Sequence, residues 1–338
     1  MGDDFAERVL AWYRRHGRQG LPWQVRDPYV RWLSEVMLQQ TTVTAARPYF
    51  ERFLAAFPTV QALARASQDE VLAQWAGLGY YARARNLHAA AQLIVARHGG
   101  GFPRRVEDWV ALPGIGPSTA AAIVAFAFDV QAPILDANVR RVLSRYHGIK
   151  GADAGASHAL WAHARAHTPA RDVSAYTQAI MDLGALVCRK APRCAACPIA
   201  AGCAFDGKDP PAARRARPER AVFWAVLHDP GRGVLLARRP ASGIWGGLWS
   251  LPEAPVLNDL PAVLEALGLT GRLGPPSAPI HHAFTHFRLT ITPVPVVAAA
   301  PGPGVAENRD VVWYKGEGPA PGVPAPVRRL LNRLLEAP

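Results

Sequence analysis

The sequence predicts a multi-domain protein in which an all-α first part is followed by a smaller α+β domain. Two observations support this division. Before residue 220 the apolar residues recur at helical spacing and no strand pattern occurs. After residue 220 the period changes, because short β-like runs such as 221–228 and 289–297 alternate with Gly and Pro. A chain of 338 residues is long enough for two domains with sizeable cores.

The net charge and the composition indicate which kind of molecule the protein binds. Half of the residues are hydrophobic (50%), which indicates a globular chain, and the formal net charge is +12. Residues 1–220 carry +10 of this charge and residues 221–338 carry +2, so we expect the first part to bind a polyanion. No apolar run reaches the roughly 18 residues of a membrane span, and the first residues contain no apolar signal core. We therefore expect a cytoplasmic protein that does not bind membranes.

The first 100 residues predict a series of helices. Residues 4–17 have apolar positions at helical spacing, and the turn at 20–23 ends that helix. Asp27-Pro28 predicts a second helix, from Tyr29 to about Val43, because Pro is favoured in a first turn. Shorter helices are expected at 48–57, 60–66, 69–75 and 82–98.

Two carboxyl side chains are candidates for acid–base chemistry. Glu35 lies in the apolar stretch 32–41, where it is either a charge on the solvent-facing stripe of a helix or a carboxyl in an apolar pocket. In a pocket, desolvation would raise its pKa and keep a proton available. Asp136 precedes a predicted helix, so we expect it to cap that helix, a role compatible with facing a pocket.

Two glycine-containing turns have the composition of nucleic-acid contacts. Residues 112–119 predict a hairpin between two helices, in which Gly114 and Gly116 let the backbone approach a phosphate; a plain helix–helix turn is the alternative. Residues 77–79 form a second turn, which presents the paired Tyr80 and Tyr81 beside cations. This arrangement suits base stacking or wedging, and a tyrosine pair in the core is the alternative.

All four cysteines lie close together in the sequence, at Cys188, Cys194, Cys197 and Cys203. Their C-x5-C-x2-C-x5-C spacing predicts a metal centre, because four thiolates suit tetrahedral zinc or an iron–sulfur cluster. A single short pair favours iron–sulfur, since zinc sites more often combine two such pairs. Two disulfides are the alternative, but they would add little to a chain of this length. The polar, basic residues 206–220 then predict a linker.

The combination resembles the MutY family of adenine DNA glycosylases over nearly the whole chain. Five segments match family motifs in the family order, namely 32–41, 77–88, 112–120, 134–143 and 188–203. The resemblance implies an all-α helix-hairpin-helix glycosylase domain at 1–205. Within it we expect a six-helix barrel at about 28–132 and a cluster-bearing part formed by the N-terminal helix and 133–205. It also implies a Nudix-like domain at 221–338 that recognises 8-oxoguanine.

The activity that the resemblance implies is removal of adenine mispaired with 8-oxoguanine or guanine in double-stranded DNA, a step of base excision repair, by a monomeric hydrolase. It assigns Glu35 as general acid/base and Asp136 as the residue that stabilises the transition state. The four cysteines would hold a [4Fe–4S] cluster, and the family's first gap is usually one residue longer. Further positions carried over are the duplex wedge (Gln39, Gln40, Tyr80), the adenine pocket (Trp23, Gln24, Leu38, Asp182), DNA contacts (Gly114, Gly116, Ser118, Asn138) and the 8-oxoguanine loop (Phe284, Thr285, His286).

Ser118 separates this activity from a related one. Endonuclease III-type enzymes, which also cut the strand, carry a Schiff-base lysine after the hairpin, and segment 100–135 contains no lysine. The sequence therefore predicts a monofunctional glycosylase. Two alternatives stay open: a bifunctional endonuclease III-like glycosylase/lyase, and a catalytically silent DNA-binding scaffold. Phosphohydrolase activity of the C-terminal domain is not expected, because Asp259 and Glu265 alone do not make a magnesium-binding glutamate helix.

Overall fold

The computed structural model describes residues 4–151, 153–209, 216–284, 286–301, 310–317 and 321–335. The chain divides into two compact units, of which the first comprises Met1–Ala66 and Arg85–Ala212 and the second comprises Ser67–Ala84 and Ala213–Pro338. The later boundary falls inside the predicted linker 206–220. The grouping of Ser67–Ala84 with the C-terminal unit has no counterpart in the sequence prediction.

The first two thirds of the chain are helical, as predicted, and within the described residues no strand precedes Glu219. A π-helical turn (Leu183–Val187) and two 3-10 turns (Cys194–Ala196 and Ala200–Gly202) follow the last of these helices. The helices are α1 (Phe5–His16), α2 (Pro28–Leu38), α3 (Val43–Ala56), α4 (Val60–Arg65), α5 (Gln68–Trp75), α6 (Ala82–His98), α7 (Val106–Val110), α8 (Pro117–Phe128), α9 (Ala137–Tyr146), α10 (Ala154–His167) and α11 (Val173–Asp182).

The turn between α2 and α3 differs from the prediction. The sequence reasoning continued the second helix to about Val43 and began the next near Pro48, and this was wrong. Thr42 caps α3, because its hydroxyl accepts a hydrogen bond from the Ala45 N–H at 3.3 Å. Gln40 adopts a left-handed backbone conformation (φ 57°), which a helix cannot contain. The predicted wedge residue therefore lies on an exposed turn instead of on a helix.

The helix α8 lies at the centre of the first unit. Its Ala-rich sequence is apolar all round, as expected for a helix surrounded by others, and it contacts α2, α7 and α11. The core beside it joins α1 to α9, α10 and α11, with Phe5, Leu160 and Tyr176 among its buried members. This packing fixes the end of α2 and the start of α9 on either side of the start of α8.

Among its described residues, the part of the C-terminal unit that follows residue 213 contains two sheets and two α-helices, in agreement with the predicted α+β class. One sheet has the order β5-β1-β8-β6 with β7 paired to β8, and the other has the order β2-β3-β4 with β9 paired to β3. The pair β1 and β8 is parallel. The elements are β1 (Glu219–Val226), β2 (His228–Asp229), β3 (Gly233–Arg238), β4 (Trp249–Ser250), β5 (Glu253–Ala254), α12 (Leu260–Ala266), β6 (Leu269–Leu273), β7 (Ile280–Ala283), β8 (Arg288–Pro301), β9 (Val311–Tyr314) and α13 (Ala325–Leu335).

Among the described residues, no helix combines the length and the apolar character that crossing a bilayer needs.

Candidate active site

Glu35 and Asp136 line the same cavity, which has a volume of about 980 Å³. Glu35 lies on α2, and Asp136 is the residue that caps α9. Six other residues predicted from the sequence line the cavity with them: Leu38, Gln39, Gln40, Gly116, Ser118 and Asn138. Four cations, Arg18, Arg141, Arg189 and Lys190, also line it. The cavity therefore combines two carboxyl groups with four positively charged side chains.

The environment of Glu35 favours its protonated form. Burial raises the pKa of the Glu35 carboxyl to about 7, the Asp136 charge adds to this rise, and the Arg31 charge opposes it. Arg31 is itself buried, stacks on the Phe126 ring at 4.4 Å and donates to the Val25 carbonyl at 2.6 Å. Of the two roles that the sequence left open for Glu35, the structure supports the carboxyl in a pocket.

Asp136 has more partners that stabilise its charged form. Burial raises its pKa, but hydrogen bonds from the Val139 N–H and from Asn138, together with the Arg141 charge, act to lower it. The Val139 N–H donates to the carboxylate at 2.7 Å, which is also the capping bond of α9. With its pKa raised to about 7 by burial and by the Asp136 charge, Glu35 keeps a substantial protonated fraction at neutral pH.

The hairpin between α7 and α8 has the geometry of a backbone contact site. Gly114 has φ +75°, and an added Cβ would lie 2.7 Å from the Asn86 side chain, so only glycine fits there. An added Cβ at Gly116 would meet nothing within 4 Å, so the backbone at the start of α8 is open. The Ser118 hydroxyl accepts a hydrogen bond from the Leu135 N–H at 3.0 Å. That bond ties the hairpin to the segment that carries Asp136.

The π-helical turn Leu183–Val187 brings the chain close to the start of α9. An added Cβ at Gly184 would lie 2.7 Å from the Asn138 Cβ and 3.0 Å from its carbonyl carbon. Arg141 spans this contact: it donates to the Gly184 carbonyl at 2.7 Å, to Asn138 Oδ1 at 2.8 Å and to the Cys188 carbonyl at 2.6 Å. The guanidinium therefore connects the active-site cavity to the first cysteine.

The four cysteine thiols line a second cavity of about 100 Å³. All four are free thiols, which removes the disulfide alternative. Burial raises the pKa of the Cys197 and Cys203 thiols, and the charges of the neighbouring cysteines raise both further. The buried Arg145 guanidinium donates to the Cys188 Sγ at 3.3 Å and to the Arg189 carbonyl at 2.7 Å, and its Nε donates to Asp209 at 2.9 Å. Four thiols with an adjacent cation fit a group that requires thiolate ligands.

Comparison with known proteins identifies the family. The HhH-GPD superfamily of base excision DNA repair proteins matches residues 33–163, and a NUDIX domain matches residues 222–333. The adenine DNA glycosylase of Buchnera aphidicola (subsp. Acyrthosiphon pisum, strain APS) is 34% identical over 339 residues, which cover 97% of each chain. The chain belongs to the adenine DNA glycosylase family. Human adenine DNA glycosylase is 33% identical over 85% of this chain and 65% of its own length, and that of Mycolicibacterium smegmatis is 40% identical over 68% and 78%.

Two solved structures share the fold of the helical part of the chain. A thermostable thymine-DNA glycosylase has a TM-score of 0.54 and 27% identity, and covers 60% of this chain and 94% of its own. A non-covalent endonuclease III–DNA complex has a TM-score of 0.51 at 21% identity, with 59% and 91% covered, and shows the fold alone.

Three residues that the family resemblance assigned to the adenine pocket, Trp23, Gln24 and Asp182, are not among those that line the cavity. Trp23 is buried edge-on to Phe50, with ring centroids 5.2 Å apart. The Gln24 amide accepts from the Leu21 N–H at 3.0 Å and donates to the Arg18 carbonyl at 2.8 Å. The structure thus shows Trp23 in core packing and Gln24 in local hydrogen bonds.

Asp182 acts on the cavity through Arg18, which sequence reasoning missed. The fully buried Asp182 carboxylate accepts from the Arg18 Nε at 2.9 Å, from the Arg18 N–H at 2.7 Å and from the Gln178 amide at 2.9 Å. Arg18 lies 164 positions earlier in the chain, and no local pattern marks it. The signal that could have found it is the unmatched charge of Asp182 on a helix that is otherwise uncharged.

The C-terminal unit of this family member presents an aromatic cluster at the predicted 8-oxoguanine loop. The Phe284 ring stacks on Phe287 at 4.3 Å and lies 5.4 Å from Trp245, and His286 is exposed. Thr285 lies outside the described residues. Of the two adjacent tyrosines predicted at the other turn, Tyr81 is buried whereas Tyr80 is 41% exposed and has a left-handed backbone (φ 50°). The core alternative therefore applies to Tyr81 and not to Tyr80.

Proposed function

We propose that this protein is a monofunctional DNA glycosylase that hydrolyses the N-glycosidic bond of adenine mispaired with 8-oxoguanine or guanine, acting as a cytoplasmic monomer on double-stranded DNA. The observation that carries the proposal is the pairing of Glu35, with a pKa of about 7, and Asp136 in one cavity. Adenine is a poor leaving group, and a protonated carboxyl can deliver the proton that its ring needs.

The chemistry requires one proton transfer and one water molecule. The Glu35 proton moves to a ring nitrogen of adenine as the bond between the base and C1′ breaks, and the bonding electrons leave with the base. The sugar becomes oxocarbenium-like, and the Asp136 carboxylate stabilises its positive charge. A water molecule then adds its oxygen to C1′ and gives its proton to the Glu35 carboxylate. The product is free adenine and an abasic site.

Access to the cavity requires that the adenine leave the helical stack, which costs roughly a few kcal/mol. Gln40 is suited to fill the vacated space, because it is exposed, adjoins the cavity and is held in a left-handed conformation. The open backbone at Gly116 and the cations Arg189 and Lys190 are placed to bind phosphates. These groups grip the DNA backbone without reading its sequence.

The cysteine cavity is proposed to hold a [4Fe–4S] cluster through Cys188, Cys194, Cys197 and Cys203. All four thiols line this one cavity, and the single short cysteine pair in the spacing favours an iron–sulfur cluster over zinc. When bound, such a cluster supplies a fixed shape and charge beside Arg189 and Lys190. No step of the hydrolysis passes through it.

One lysine in the cavity could supply the amine that the lyase alternative requires. Lys190 lines the cavity although segment 100–135 has none, so a primary amine is present near the product. We propose that it binds phosphate and does not form a Schiff base, because it is exposed beside Arg189 at the edge of the cysteine loop.

The test is single-turnover adenine release from a duplex with one 8-oxoguanine:adenine pair, with and without alkali. Strand breaks that appear only after alkali support the monofunctional reaction. Strand breaks without alkali that disappear in Lys190→Gln would establish the lyase, and tight binding without any adenine release would establish the scaffold. A parallel G:A duplex and the variant Phe284→Ala test the 8-oxoguanine site: the variant should lose the preference for 8-oxoguanine and retain release from G:A.

A further inference from the structure

Three histidines form a cluster in the first unit, away from the residues of both cavities. His147 is the residue that ends α9, and His163 and His167 lie one helical turn apart on α10. One ligand nitrogen from each lies within 4.8 Å of the other two. We propose that His147, His163 and His167 form a binding site for a divalent transition-metal ion, with Zn²⁺ as the representative ion. The proposal is independent of the glycosylase reaction.

The positions of the rings are close to those that zinc requires. Zinc binds imidazole nitrogen at about 2.0–2.1 Å, so two such ligands in a tetrahedral shell lie about 3.3 Å apart. The Nε2 atoms of His147 and His167 are 2.8 Å apart, and the His147 and His163 rings stack at 3.5 Å. The three ligand nitrogens are already within 4.8 Å of one another, but the His147 and His163 rings are nearly parallel (16°), so the rings must turn for their in-plane lone pairs to converge on one ion. Because His147 and His163 are half-buried, water can complete that shell.

A hydrogen bond between two imidazoles is the competing explanation for the short contact. It accounts for the contact of His147 with His167, whereas His163 joins the cluster only through its ring stacking on His147. An (i, i+4) histidine pair on one face of a helix with a third histidine from a neighbouring element is an arrangement that suits zinc.

The surroundings favour a cation and hold the ligands in place. His147 ends α9, and His167 is the last residue of α10, so the negative ends of two helix dipoles meet at the cluster. The buried His167 ring stacks on Phe5 at 4.0 Å and meets the Tyr146 ring edge-on at 5.9 Å. Two of the ligand side chains thus lie on packed helices with little freedom to move. An ion there would join the C-terminal ends of α9 and α10.

The proposal is tested by measuring the zinc and iron contents of the full-length protein after dialysis against buffered free Zn²⁺. We expect the wild type to bind one zinc ion per chain that His163→Gln fails to bind, with no change in iron content. His158→Gln is the matched control, because His158 is exposed on the same helix and lies outside the cluster. Zn²⁺ should raise the Tm of the wild type and of His158→Gln by a few degrees, and leave that of His163→Gln unchanged.

Two further variants separate the cluster from the cysteines. His147→Gln, on the other helix, should lose the same zinc ion. Equal zinc contents in the wild type, His163→Gln and His147→Gln would overturn the proposal. Zinc that is lost in Cys194→Ser but retained in His163→Gln would also overturn it, because the ion would then belong to the cysteine cavity.

Discussion

The two cavities of the first unit are built in opposite ways. The active-site cavity takes Glu35 from α2, Gly116 and Ser118 from the hairpin, and Asp136 from the start of α9, so it exists only when distant segments pack together. The cysteine cavity takes all four of its thiols from the single segment 188–203. The first depends on the whole core, whereas the second depends mainly on one loop and on the arginine that binds it.

The two cavities also differ in how their charged groups are stabilised. In the active-site cavity, burial and the Asp136 charge raise the pKa of Glu35, whereas hydrogen bonds from Val139 and Asn138 and the Arg141 charge stabilise the charged form of Asp136. In the cysteine cavity, the buried Arg145 offsets the thiolates. The comparison teaches that changes in the first cavity should alter the rate without altering the fold, and that changes in the second should alter metal content and stability.

The largest expected effect is that of Glu35→Gln. Gln keeps the shape of the side chain but cannot deliver a proton, so single-turnover adenine release should fall by about 10²–10⁴-fold. Affinity for the duplex and iron content should stay at the wild-type level. A fall of less than tenfold would show that another group supplies the proton.

Asp136→Asn should have the next largest effect on the rate. Loss of the carboxylate removes charge stabilisation of the transition state, which is worth about 10²–10³-fold for a single well-placed group. Asn caps helices about as well as Asp, so the thermal unfolding temperature should change little. Unfolding at a clearly lower temperature would instead make the residue's main role structural.

Arg145→Met tests the second cavity. The change removes the hydrogen bonds of the buried guanidinium to the Cys188 Sγ and to the Arg189 carbonyl, so denaturant unfolding should shift to a lower midpoint and iron content should fall. Arg140→Met is the matched control on the same helix, where the guanidinium donates to the Ser157 hydroxyl at 3.3 Å. Equal iron content in the two variants would separate Arg145 from the cluster.

The pH dependence of the rate tests the protonation state of Glu35. Because its pKa is raised to about 7, release by the free enzyme should be fastest below pH 7 and fall about tenfold per unit well above it. The raised pKa of Glu35 also stabilises the folded protein. This stabilisation is fully present below the unfolded-state pKa of 4.5 and is lost as the pH rises through about 7. Both trends should disappear in Glu35→Gln. A rate that rises with pH would assign Glu35 the role of a base alone.

Gly184→Ala should have the smallest effect. The added methyl group would press on the backbone of Asn138, and overpacking of this kind costs about 1–3 kcal/mol. Thermal unfolding should therefore begin at a lower temperature, with adenine release reduced as Asn138 moves. Gly155→Ala, in α10, meets only the Asp153 side chain at 3.4 Å and should not destabilise the protein. Equal unfolding temperatures in the two variants would contradict the close approach.

The same contrast explains how far the sequence could be interpreted. The cysteine run was evident because its ligands are neighbours in the chain, and the capping role of Asp136 followed from its local position. Glu35 stayed ambiguous, because its pocket is made by α8 and α9 and no local pattern reveals it. Arg18 was missed for the same reason, since its partner Asp182 is far away in the sequence.

The turn at 39–42 was misplaced because two local signals competed. Pro48 suggested the start of a helix, but Thr42 provides the actual cap and Pro48 lies inside α3. Tertiary packing tolerates a proline there that local propensity disfavours. The left-handed backbone of Gln40, which positions the residue on the turn, has no signature in the sequence.

The hydrogen bond between Ser118 and the Leu135 N–H has a consequence for the evolution of this fold. A lysine at position 118 could supply the amine that a strand-cutting enzyme needs, but it would remove the acceptor for the N–H of the buried Leu135, at a cost of about 1–3 kcal/mol. The adjacent residue is Asp136, so the same exchange would loosen the carboxylate that hydrolysis requires. Base removal by hydrolysis and strand cutting through an amine therefore place different demands on position 118.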